Sequence, residues 1–484
     1  MSNVWLRPSS NDTFPLKKGP GAEKLFFSYK QDNPGSLVFV LSSTQYSSNN
    51  AWYYNWNNEY FNNNNKNNNN GVRPVCEFFT ECKGILLFNF NIKMVNEHFE
   101  YLISLEDVFD AYYDCRKNKR KTFNAIDFEI DFETKLVQLW HDINTGNYVI
   151  GKSICFLVTK PKLREVFAAD FRDRIVHHIA CRKLEPLFEK SFIDDSYNCR
   201  KGKGTSYGVK RLHQQIKEIS EDYTKDCYIG KFDLQGFFMS INRNILWNIL
   251  NKFISENYNH QDKPIILKLV HQIVTHKPER NCIIKGNPDN WKKLDKNKSL
   301  FTCGDDYGLP IGNLTSQMFA NFYLHELDYK LSNYFNGYGR YVDDFYIIDV
   351  DKQKIIDSIQ YISKYLKTYR EVTLHPHKQY IQHYSKGCKF IGSMVKMNRM
   401  YVGNYTVGRF YTKIKYFNTM MEKDNNWLDD IDNKKSFLSS INCYLGFARQ
   451  YNSYKIKYKI LSSINPIWYK YAYPDINCNK ICLA

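Results

Sequence analysis

The chain lacks the features that would place it among membrane or secreted proteins. Its 484 residues contain no run of about 18 apolar residues, which excludes a membrane-spanning helix of ordinary length. The start, MSNVWLRPSSND, has no apolar core of a secretory signal. The 13 cysteines are odd in number, with no C-x-x-C pair and no histidine at zinc-finger spacing, so neither a disulfide framework nor a zinc site is expected. The expected location is the reducing cytoplasm.

What the chain has in excess is positive charge and aromatic side chains. It has 67 Lys and Arg against 50 Asp and Glu, a net charge of +17. Aromatic residues make up 16%, with 37 Tyr and 33 Phe. Because basic side chains neutralise phosphates and aromatic rings stack on bases, a polyanionic partner is expected, either nucleic acid or an anionic membrane surface. The length indicates roughly two to four domains or lobes.

The first 75 residues differ in composition from the rest. Asn49–Asn70 holds 13 Asn in 22 positions, and so polar a segment buries too little apolar surface to form a core. A disordered leader is one interpretation. The alternation of Trp52, Tyr54, Trp56 and Phe61 with asparagine also resembles the variable end of C-type-lectin-like display proteins diversified by retroelements. In that second interpretation the leader is a lectin-like fragment, with SLVFVLSSTQY as a β-strand.

The strongest chemical signal is GYGRYVDDFYIIDVD, residues 337–351. Asp343 and Asp344 lie between aromatic and β-branched residues, which predicts a hairpin with both carboxylates at its tip. Adjacent carboxylates repel unless a cation neutralises them, and Mg²⁺ prefers such oxygen ligands. The segment CYIGKFDLQGFFMSI predicts a second strand, ending at Asp233. Two-metal phosphoryl transfer requires carboxylates from separate elements of this kind.

A basic segment precedes these carboxylates. FLVTKPKLREV, residues 156–166, predicts a strand with Lys160, Lys162 and Arg164 at every second position. In a strand that spacing points three cations to one face, where they could clamp phosphates. The following DFRDRIVHHIACRKLEPLF predicts an amphipathic helix in which His177 packs rather than binds a ligand, and the loop CRKGKGTSY could approach a template strand closely.

Helices are predicted along the rest of the chain. Residues 104–121 start with a capping-box pattern at Ser104, and the turn GLPIGN leads to a helix that Thr315 or Ser316 could cap. GCKFIGSMV predicts a short β pair around Gly392. The expected helical stretches are residues 104–121, 128–144, 170–188, 243–275, the part of 308–331 that follows the turn, 353–369 and 405–470. The last has 11 Lys and Arg against 5 Asp and Glu, which favours a helical lobe that holds a duplex by its phosphates.

Taken in order, these motifs resemble a reverse transcriptase over residues 104–473. They are the basic segment up to Arg174, FDLQGFF, GLPIGNLTSQ, YVDD, the segment around Lys378 and the FIG turn. GLPIGNLTSQ, RDRIVHH and SYNCRKGKGT are most similar to the enzymes of diversity-generating retroelements, within the group II intron-like family. The resemblance implies an α+β right-hand polymerase fold: an Asn-rich leader (1–75), an N-terminal helical extension (76–150), fingers (151–232), a palm with an antiparallel sheet (233–400), and a helical thumb and tail (401–484).

The resemblance also implies roles for individual residues. Asp233, Asp343 and Asp344, with the main chain of Leu234, would bind two Mg²⁺ ions, for which Mn²⁺ could substitute. Lys378 would protonate the leaving pyrophosphate. Phe238, ahead of Phe237, would be the steric gate that rejects the ribose 2′-hydroxyl. The expected dNTP-binding residues are Lys160, Lys162, Arg164, Phe237, Phe238, Pro310, Ile311, Gly312 and Gln317, and the expected primer grip is Phe390, Ile391 and Gly392.

The implied activity is RNA-directed DNA synthesis that copies a template-repeat RNA into cDNA for mutagenic retrohoming, error-prone at template adenines. Ile311 stands where many reverse transcriptases have glutamine, an apolar substitution shared by diversity-generating enzymes. Asn codons begin with AA, so an adenine-rich repeat could have given rise to the leader. The implied partners are template RNA, RNA–DNA heteroduplex, dNTPs and a small basic helical-bundle protein, in a prokaryotic or phage-encoded setting without a membrane.

Two alternatives remain at this level. The polymerase could serve antiphage defence; a mobile intron is disfavoured because no maturase or endonuclease segment follows the thumb, and no RNase H segment is recognised. Otherwise the chain could be a non-catalytic lectin-like binding protein on a polymerase-like scaffold. The presence of Asp233, Asp343 and Asp344 argues against this last interpretation.

Overall fold

The computed structural model describes residues 101–117, 122–159, 162–451 and 453–483 with their side chains, and four strand backbones before residue 100. The chain divides into two units, residues 1–100 and 101–484. In the first unit β1 pairs antiparallel with β2, and β3 with β4. The strand predicted in SLVFVLSSTQY is present as Ser36–Ser43. The rest of the leader interpretation lies outside the described residues.

The described strands number sixteen. They are β1 Leu25–Asn33, β2 Ser36–Ser43, β3 Trp52–Asn55, β4 Tyr60–Asn63, β5 Ser153–Val158, β6 Arg164–Ala168, β7 Tyr228–Asp233, β8 Cys282–Lys285, β9 Gly337–Tyr341, β10 Asp344–Asp349, β11 Tyr380–His383, β12 Cys388–Phe390, β13 Ser393–Lys396, β14 Arg399–Val402, β15 Ala472–Pro474 and β16 Ile481–Leu483.

The described α-helices number fourteen. They are α1 Leu105–Arg116, α2 Phe123–Glu129, α3 Phe132–Thr145, α4 Phe171–Ser191, α5 Thr205–Ile219, α6 Phe237–Ser240, α7 Arg243–Asn257, α8 Lys263–Thr275, α9 Leu314–Tyr323, α10 His325–Tyr334, α11 Lys352–Tyr369, α12 Asn404–Lys423, α13 Ile431–Ala448 and α14 Tyr454–Ser462. None of these helices combines the length and apolarity needed to cross a bilayer.

A four-stranded antiparallel sheet in the order β11-β7-β10-β9 carries the acidic motifs. Its apolar face joins the largest core, to which the N-terminal helices, α4 and α7 to α11 also contribute. Gly230 allows the close approach of α11, because a Cβ there would lie 2.8 Å from Ile355 Cγ2. The other face packs against α5 in a second core that includes Ile229, Tyr346 and Ile348, so the sheet is covered on both sides. Asp233 and Asp344, at the strand ends, are partly exposed.

A three-stranded sheet in the order β6-β5-β8 forms a second layer. β5 and β6 are an antiparallel hairpin, and β8 adds to β5 in parallel. The prediction that residues 156–166 form one continuous strand is wrong, because the chain ends β5 at Val158, reverses, and begins β6 at Arg164. The alternation argument for three cations on one strand face therefore fails. Lys160 lies outside the described residues.

Several helix predictions need correction in detail. The capping box at Ser104 is present and starts α1. Residues 128–144 are not one helix, since the chain breaks between α2 and α3, and residues 243–275 are likewise divided into α7 and α8. Thr315 and Ser316 do not cap α9. Its N-cap residue is Asn313, whose side chain instead accepts a hydrogen bond from Ala169 N.

The C-terminal lobe has its own hydrophobic core. α12, α13 and α14 pack around Phe417, Phe437 and Trp468, as the sequence predicted for a helical segment. The final pair of strands, β15 and β16, was not predicted, and β16 is tied to α13 through the Asn442 side chain. The lobe thus has a core of its own, and Ala448 and Tyr451 also pack with Phe390 in the core beside the sheet.

Candidate active site

The acidic hairpin has a two-residue turn. Tyr341 lies opposite Asp344, so Val342 and Asp343 alone form the connection between β9 and β10. Val342 has φ of 60°, an unfavourable conformation for a β-branched residue. Arg340 Nη1 donates to Val342 O at 3.0 Å, and Leu234 N donates to Asp343 O at 3.1 Å. These bonds hold the turn, and with it the Asp343 carboxylate, in place.

The sheet register brings the separate carboxylates together. Asp233, the last residue of β7, lies directly opposite Asp344, the first residue of β10. Opposite residues in an antiparallel pair have Cα atoms about 4.5–5.5 Å apart. The aspartates that the sequence placed at two strand ends therefore meet at one edge of one sheet.

The environment of these carboxylates disfavours their charge. Burial raises the pKa of Asp343, and the neighbouring negative charge of Asp233 raises it further, against the opposing effects of Lys378 and Arg164. Burial likewise raises the pKa of Asp344 to about 6, in spite of Lys231. Loss of hydration thus outweighs the stabilisation that the neighbouring lysines and arginine give to these two charges.

Two lysines contact this cluster. Lys378 Nζ lies 2.9 Å from Asp233 Oδ1, and its loop is fixed by His375 N, which donates to Asp233 O at 2.8 Å. Lys231 Nζ lies 2.7 Å from Asp344 Oδ1, an ion contact too poorly aligned to be a hydrogen bond. Each lysine pairs with one aspartate, and Asp343 receives neither.

The donor set fits a hard divalent cation in its chemistry. Carboxylates crowded on one edge, with charges that raise one another's pKa, are the ligands that Mg²⁺ takes. Within the described part of the chain no three acidic, histidine or cysteine side chains are already gathered at ligand geometry. Asp233 and Asp343, with Asp344 and the Leu234 main chain beside them, are the residues that would hold the ions.

Two of the three basic residues expected at the triphosphate, Lys162 and Arg164, are among the described residues. Lys162 and Arg164 are both exposed, the first in the connection between β5 and β6 and the second at the start of β6. Arg164 is close enough to Asp343 to oppose the rise in the pKa of that carboxyl. Of these two described residues, Arg164 is the one whose charge acts on Asp343.

The two phenylalanines after Asp233 differ in exposure. Phe237 is 2% exposed and belongs to the main core, whereas Phe238 is half-buried. Phe238 O accepts a hydrogen bond from Leu309 N at 2.8 Å, which ties it to the GLPIGN turn. The accessible ring of Phe238 agrees with its expected role better than the enclosed ring of Phe237 does.

The GLPIGN turn packs against β6. Ile311 O accepts from Phe167 N at 2.9 Å, and Pro310 is buried beside it. Gly312 has φ of 128°, and a Cβ there would lie 2.8 Å from Val166 Cγ1, so no larger residue fits without a shift. Gln317, in the next helix, is exposed and accepts from Cys199 Sγ at 2.7 Å. The turn therefore links the layer of β6 to the region of Phe238.

The expected primer grip is a tight hairpin. Phe390 is buried, and Ile391 and Gly392 form a two-residue turn with φ of 47° and 77°. Gly392 O accepts from Gly403 N at 3.0 Å, which joins this hairpin to the start of α12. The short β pair predicted around Gly392 is confirmed, and its role at the primer stays a prediction.

Sequence reasoning missed Lys231 and Glu165. Lys231 is a single charge within the apolar strand YIGKFD, two residues before Asp233, and that break in the pattern was an available signal. Glu165 is 1% exposed in β6 and adjoins Arg164. No local pattern predicts its partners, which lie 126 to 135 positions away in the chain.

Comparison with known protein families relates the segment that carries these residues to one family. Residues 158–395 match the family described as Reverse transcriptase (RNA-dependent DNA polymerase). The chain contains a reverse transcriptase domain. The match covers β6, the acidic hairpin of β9 and β10, the GLPIGN turn and Lys378, and it supports an enzyme of the RNA-directed DNA polymerase class.

Curated relatives of the reverse transcriptase domain include intron proteins. The chain is 23% identical over 236 residues to the Group II intron-encoded protein LtrA of Lactococcus lactis subsp. cremoris, covering 48% of this chain and 34% of that protein. It is 23% identical over 183 residues to Protein YkfC of Escherichia coli, covering 37% of this chain and 40% of that protein. The chain thus spans well under half the length of these two relatives.

Solved structures similar to the chain include yeast telomerases. Apo telomerase from Candida tropicalis aligns with a TM-score of 0.41 and 13% identity, covering 61% of this chain and 52% of that one. Telomerase from Candida albicans in complex with a fragment of telomeric RNA aligns with a TM-score of 0.38 and 12% identity, covering 70% and 60%.

Proposed function

We propose that the protein is an RNA-directed DNA polymerase that extends a primer on an RNA template with dNTPs. The observation that carries the proposal is the meeting of Asp233 and Asp344 across β7 and β10, with Asp343 at the adjoining turn. Carboxylates from distant parts of a chain, held on one sheet edge inside a reverse transcriptase domain, suit phosphoryl transfer between nucleotides.

Each residue near the edge has a distinct task in this proposal. Asp233 and Asp343 hold the cations, and Asp344 contributes charge beside them. Arg164 and Lys162 bind the triphosphate, and Phe238 lies against the sugar and excludes a 2′-hydroxyl. Lys378, which contacts Asp233, gives a proton to the leaving pyrophosphate.

Mg²⁺ ions held by Asp233 and Asp343 would supply positive charge that neutralises the phosphates and activates the primer 3′-hydroxyl. The protein's own contribution is mainly positioning and charge placement. The net charge of +17 and the basic thumb favour binding of the template and of the RNA–DNA heteroduplex by their phosphates.

A finer proposal is that this polymerase serves a diversity-generating retroelement. The motifs GLPIGNLTSQ, RDRIVHH and SYNCRKGKGT support it, as does Ile311 in place of glutamine. The partly buried Ile311 packs in the same cluster as Phe238, where it could loosen the fit of the base pair at template adenines. Copying of a template-repeat RNA for mutagenic retrohoming, with a small basic helical-bundle partner, follows from this assignment.

Primer extension tests the polymerase proposal. The full chain with an RNA template, a DNA primer, dNTPs and Mg²⁺ should extend the primer, and the double variant Asp343→Asn with Asp344→Asn should not, while keeping the circular dichroism spectrum of the wild type. Incorporation retained by that variant would refute the site assignment. Failure of the wild type on several templates would refute the activity.

The retroelement proposal has its own test. Sequencing of the products should show misincorporation concentrated opposite template adenines, and Ile311→Gln should reduce that excess. Errors spread equally over the four template bases would contradict the finer assignment and leave the polymerase proposal intact. The flanking DNA should also contain paired repeats that differ at adenines.

A further inference from the structure

The segment between α8 and the GLPIGN turn has no role in the proposed reaction so far. It contains β8 and four short 3₁₀ turns, Pro278–Arg280, Pro288–Lys293, Lys296–Lys298 and Leu300–Thr302. β8 attaches one end of the segment to β5. Among the contacts that hold the remainder of this irregular stretch, the buried carboxylate of Glu165 binds three of its residues.

Glu165 is surrounded by donors from this segment. Trp291 Nε1 and Ser299 Oγ each donate to Glu165 Oε2 at 2.8 Å, and Leu300 N donates to Glu165 Oε1 at 2.7 Å. All three donors are neutral, and Glu165 is 1% exposed. A buried carboxylate is costly unless hydrogen-bonded, so these three bonds fix both the carboxylate and the segment.

The strand that carries Glu165 has two different faces. Arg164 is exposed and influences Asp343, and Val166 lies against Gly312. Glu165 and Phe167 point the other way, where Phe167 packs against Phe301 with ring centroids 5.5 Å apart. Side chains alternate along a strand, and because Glu165 and Arg164 are neighbours in β6, a shift of the backbone at Glu165 also moves Arg164 on the opposite face.

The same segment also reaches the sugar side of the site. Leu300 packs under Gly308, where a Cβ would lie 2.4 Å from Leu300 Cδ2. Trp291 and Leu300 share one small hydrophobic cluster with Phe238 and Ile311. The segment therefore contacts both the strand of Arg164 and the residues expected to enclose the nucleotide.

We propose that Glu165 is a positioning residue that sets the spacing between Arg164 and Phe238, and thereby the selectivity of the site for deoxynucleoside triphosphates. Its carboxylate anchors Trp291, Ser299 and Leu300 as a rigid support behind β6 and the GLPIGN turn. The support makes no contact with substrate itself. This inference rests on the proposed polymerase function.

Glu165→Gln is the informative substitution, because it keeps the shape of the side chain. The amide can still accept from Leu300 N, but its NH₂ group faces the Trp291 donor and breaks that bond. We expect KM for dNTPs to rise about tenfold with kcat changed less than about twofold, the pattern of lost ground-state positioning. Preference for dNTPs over rNTPs should fall, whereas the Kd for primer–template should be unchanged.

Trp291→Phe removes the same hydrogen bond from the other side and should give the same pattern to a smaller degree. In the double variant the two effects should not add, because both remove one interaction. Trp291→Phe also keeps the test informative if Glu165→Gln fails to fold.

Asp173→Asn is the matched control. Asp173 is likewise buried and accepts from two neutral donors, Tyr148 Oη at 2.8 Å and Gly151 N at 2.9 Å. It should lower stability without changing KM or sugar selectivity. Equal changes in the control, or an unchanged KM and selectivity in folded Glu165→Gln, would overturn the inference. A wild-type protein that extends no primer would instead refute the polymerase proposal.

Discussion

Two groups of carboxylates in the same sheet region behave differently. Asp328 is 1% exposed and is satisfied in full: Arg340 Nε and Tyr338 Oη both donate to it at 2.6 Å, and Arg340 Nη2 makes a second bond. Asp343 has a raised pKa and neither neighbouring lysine as a partner. The charge of Asp328 is compensated by partners within the protein. The charges of the carboxylates around Asp343 are not fully compensated, and we expect cations and substrate to provide the rest.

The two groups are also connected. Arg340, whose Nε and Nη2 bind Asp328, donates from Nη1 to Val342 O in the acidic turn. The Arg340–Asp328 ion pair thereby helps to hold the turn that carries Asp343 in position. A carboxylate with complete partners indicates structure, and a buried carboxylate with incomplete ones indicates chemistry.

The largest expected effect comes from Asp343→Asn. Loss of this charge should reduce primer extension on the order of a thousandfold or more, because the reaction depends on charge placement. The free energy of unfolding should stay the same or rise, since the substitution removes repulsion with Asp233. Single-turnover kinetics and urea unfolding on one preparation measure both. A large loss of stability would mean that Asp343, like Asp328, stabilises the fold, and it would contradict the proposed difference between these two carboxylates.

The opposite result is expected for Asp328→Asn. Removing one partner of a buried ion pair leaves the Arg340 guanidinium uncompensated, at a cost of about 3–5 kcal/mol. Urea unfolding should detect this loss. Asp349→Asn serves for comparison, because its partner Lys354 is more exposed and the loss should be smaller. If Asp328→Asn were as stable as the wild type, the pair would not be the scaffold described.

A double-mutant cycle sharpens the intermediate case of Lys231 and Asp344. Their 2.7 Å contact is partly buried, so we expect a coupling of about 0.5–3 kcal/mol in the free energy of unfolding. Lys231→Met should therefore destabilise the wild type more than it destabilises Asp344→Asn. Additive effects would mean that the two charges do not interact in the folded protein.

The smallest effect concerns a buried base rather than an acid. Burial lowers the pKa of His177 to about 3, with contributions from His178, His276 and Arg174, and its Nδ1 lies 2.6 Å from Thr315 Oγ1. The folded state keeps it neutral, whereas the unfolded chain takes up a proton near pH 6.5. Stability should be complete above that pH and fall below it, by at most about 1.4 kcal/mol per pH unit.

Unfolding of the wild type and of His177→Gln between pH 7 and 5 checks this. The variant should be less stable at pH 7 and should lose less stability on acidification. Parallel curves for the two proteins would show that His177 does not titrate on unfolding in this range.

The sequence was sufficient to predict the acidic hairpin and the strand that ends at Asp233, because strand-forming residues flank the carboxylates in both segments. It was misleading at residues 156–166, where period-two alternation continues through a reversal of the chain. The N-cap at Asn313 was missed because Thr315 and Ser316 have equal intrinsic preference for a cap, and tertiary contacts decide among them.

The remaining parts of the site depend on distant partners. Glu165 and Trp291 are 126 positions apart, and the pairing of Asp233 with Asp344 requires a strand register that no local pattern encodes. The sequence could therefore identify the acidic residues of the candidate site, but it could not identify the residues that support them.

The φ of 60° at Val342 has a consequence for how the molecule assembles. A peptide of residues 337–349 alone would avoid this backbone geometry, since a β-branched residue in it costs on the order of 1–3 kcal/mol. The hairpin is stabilised once β7 docks beside it, because Leu234 N donates to Asp343 O, and once α10 places Asp328 against Arg340. Catalytic competence should therefore be among the last properties that the chain acquires on folding, and among the first that it loses when heated.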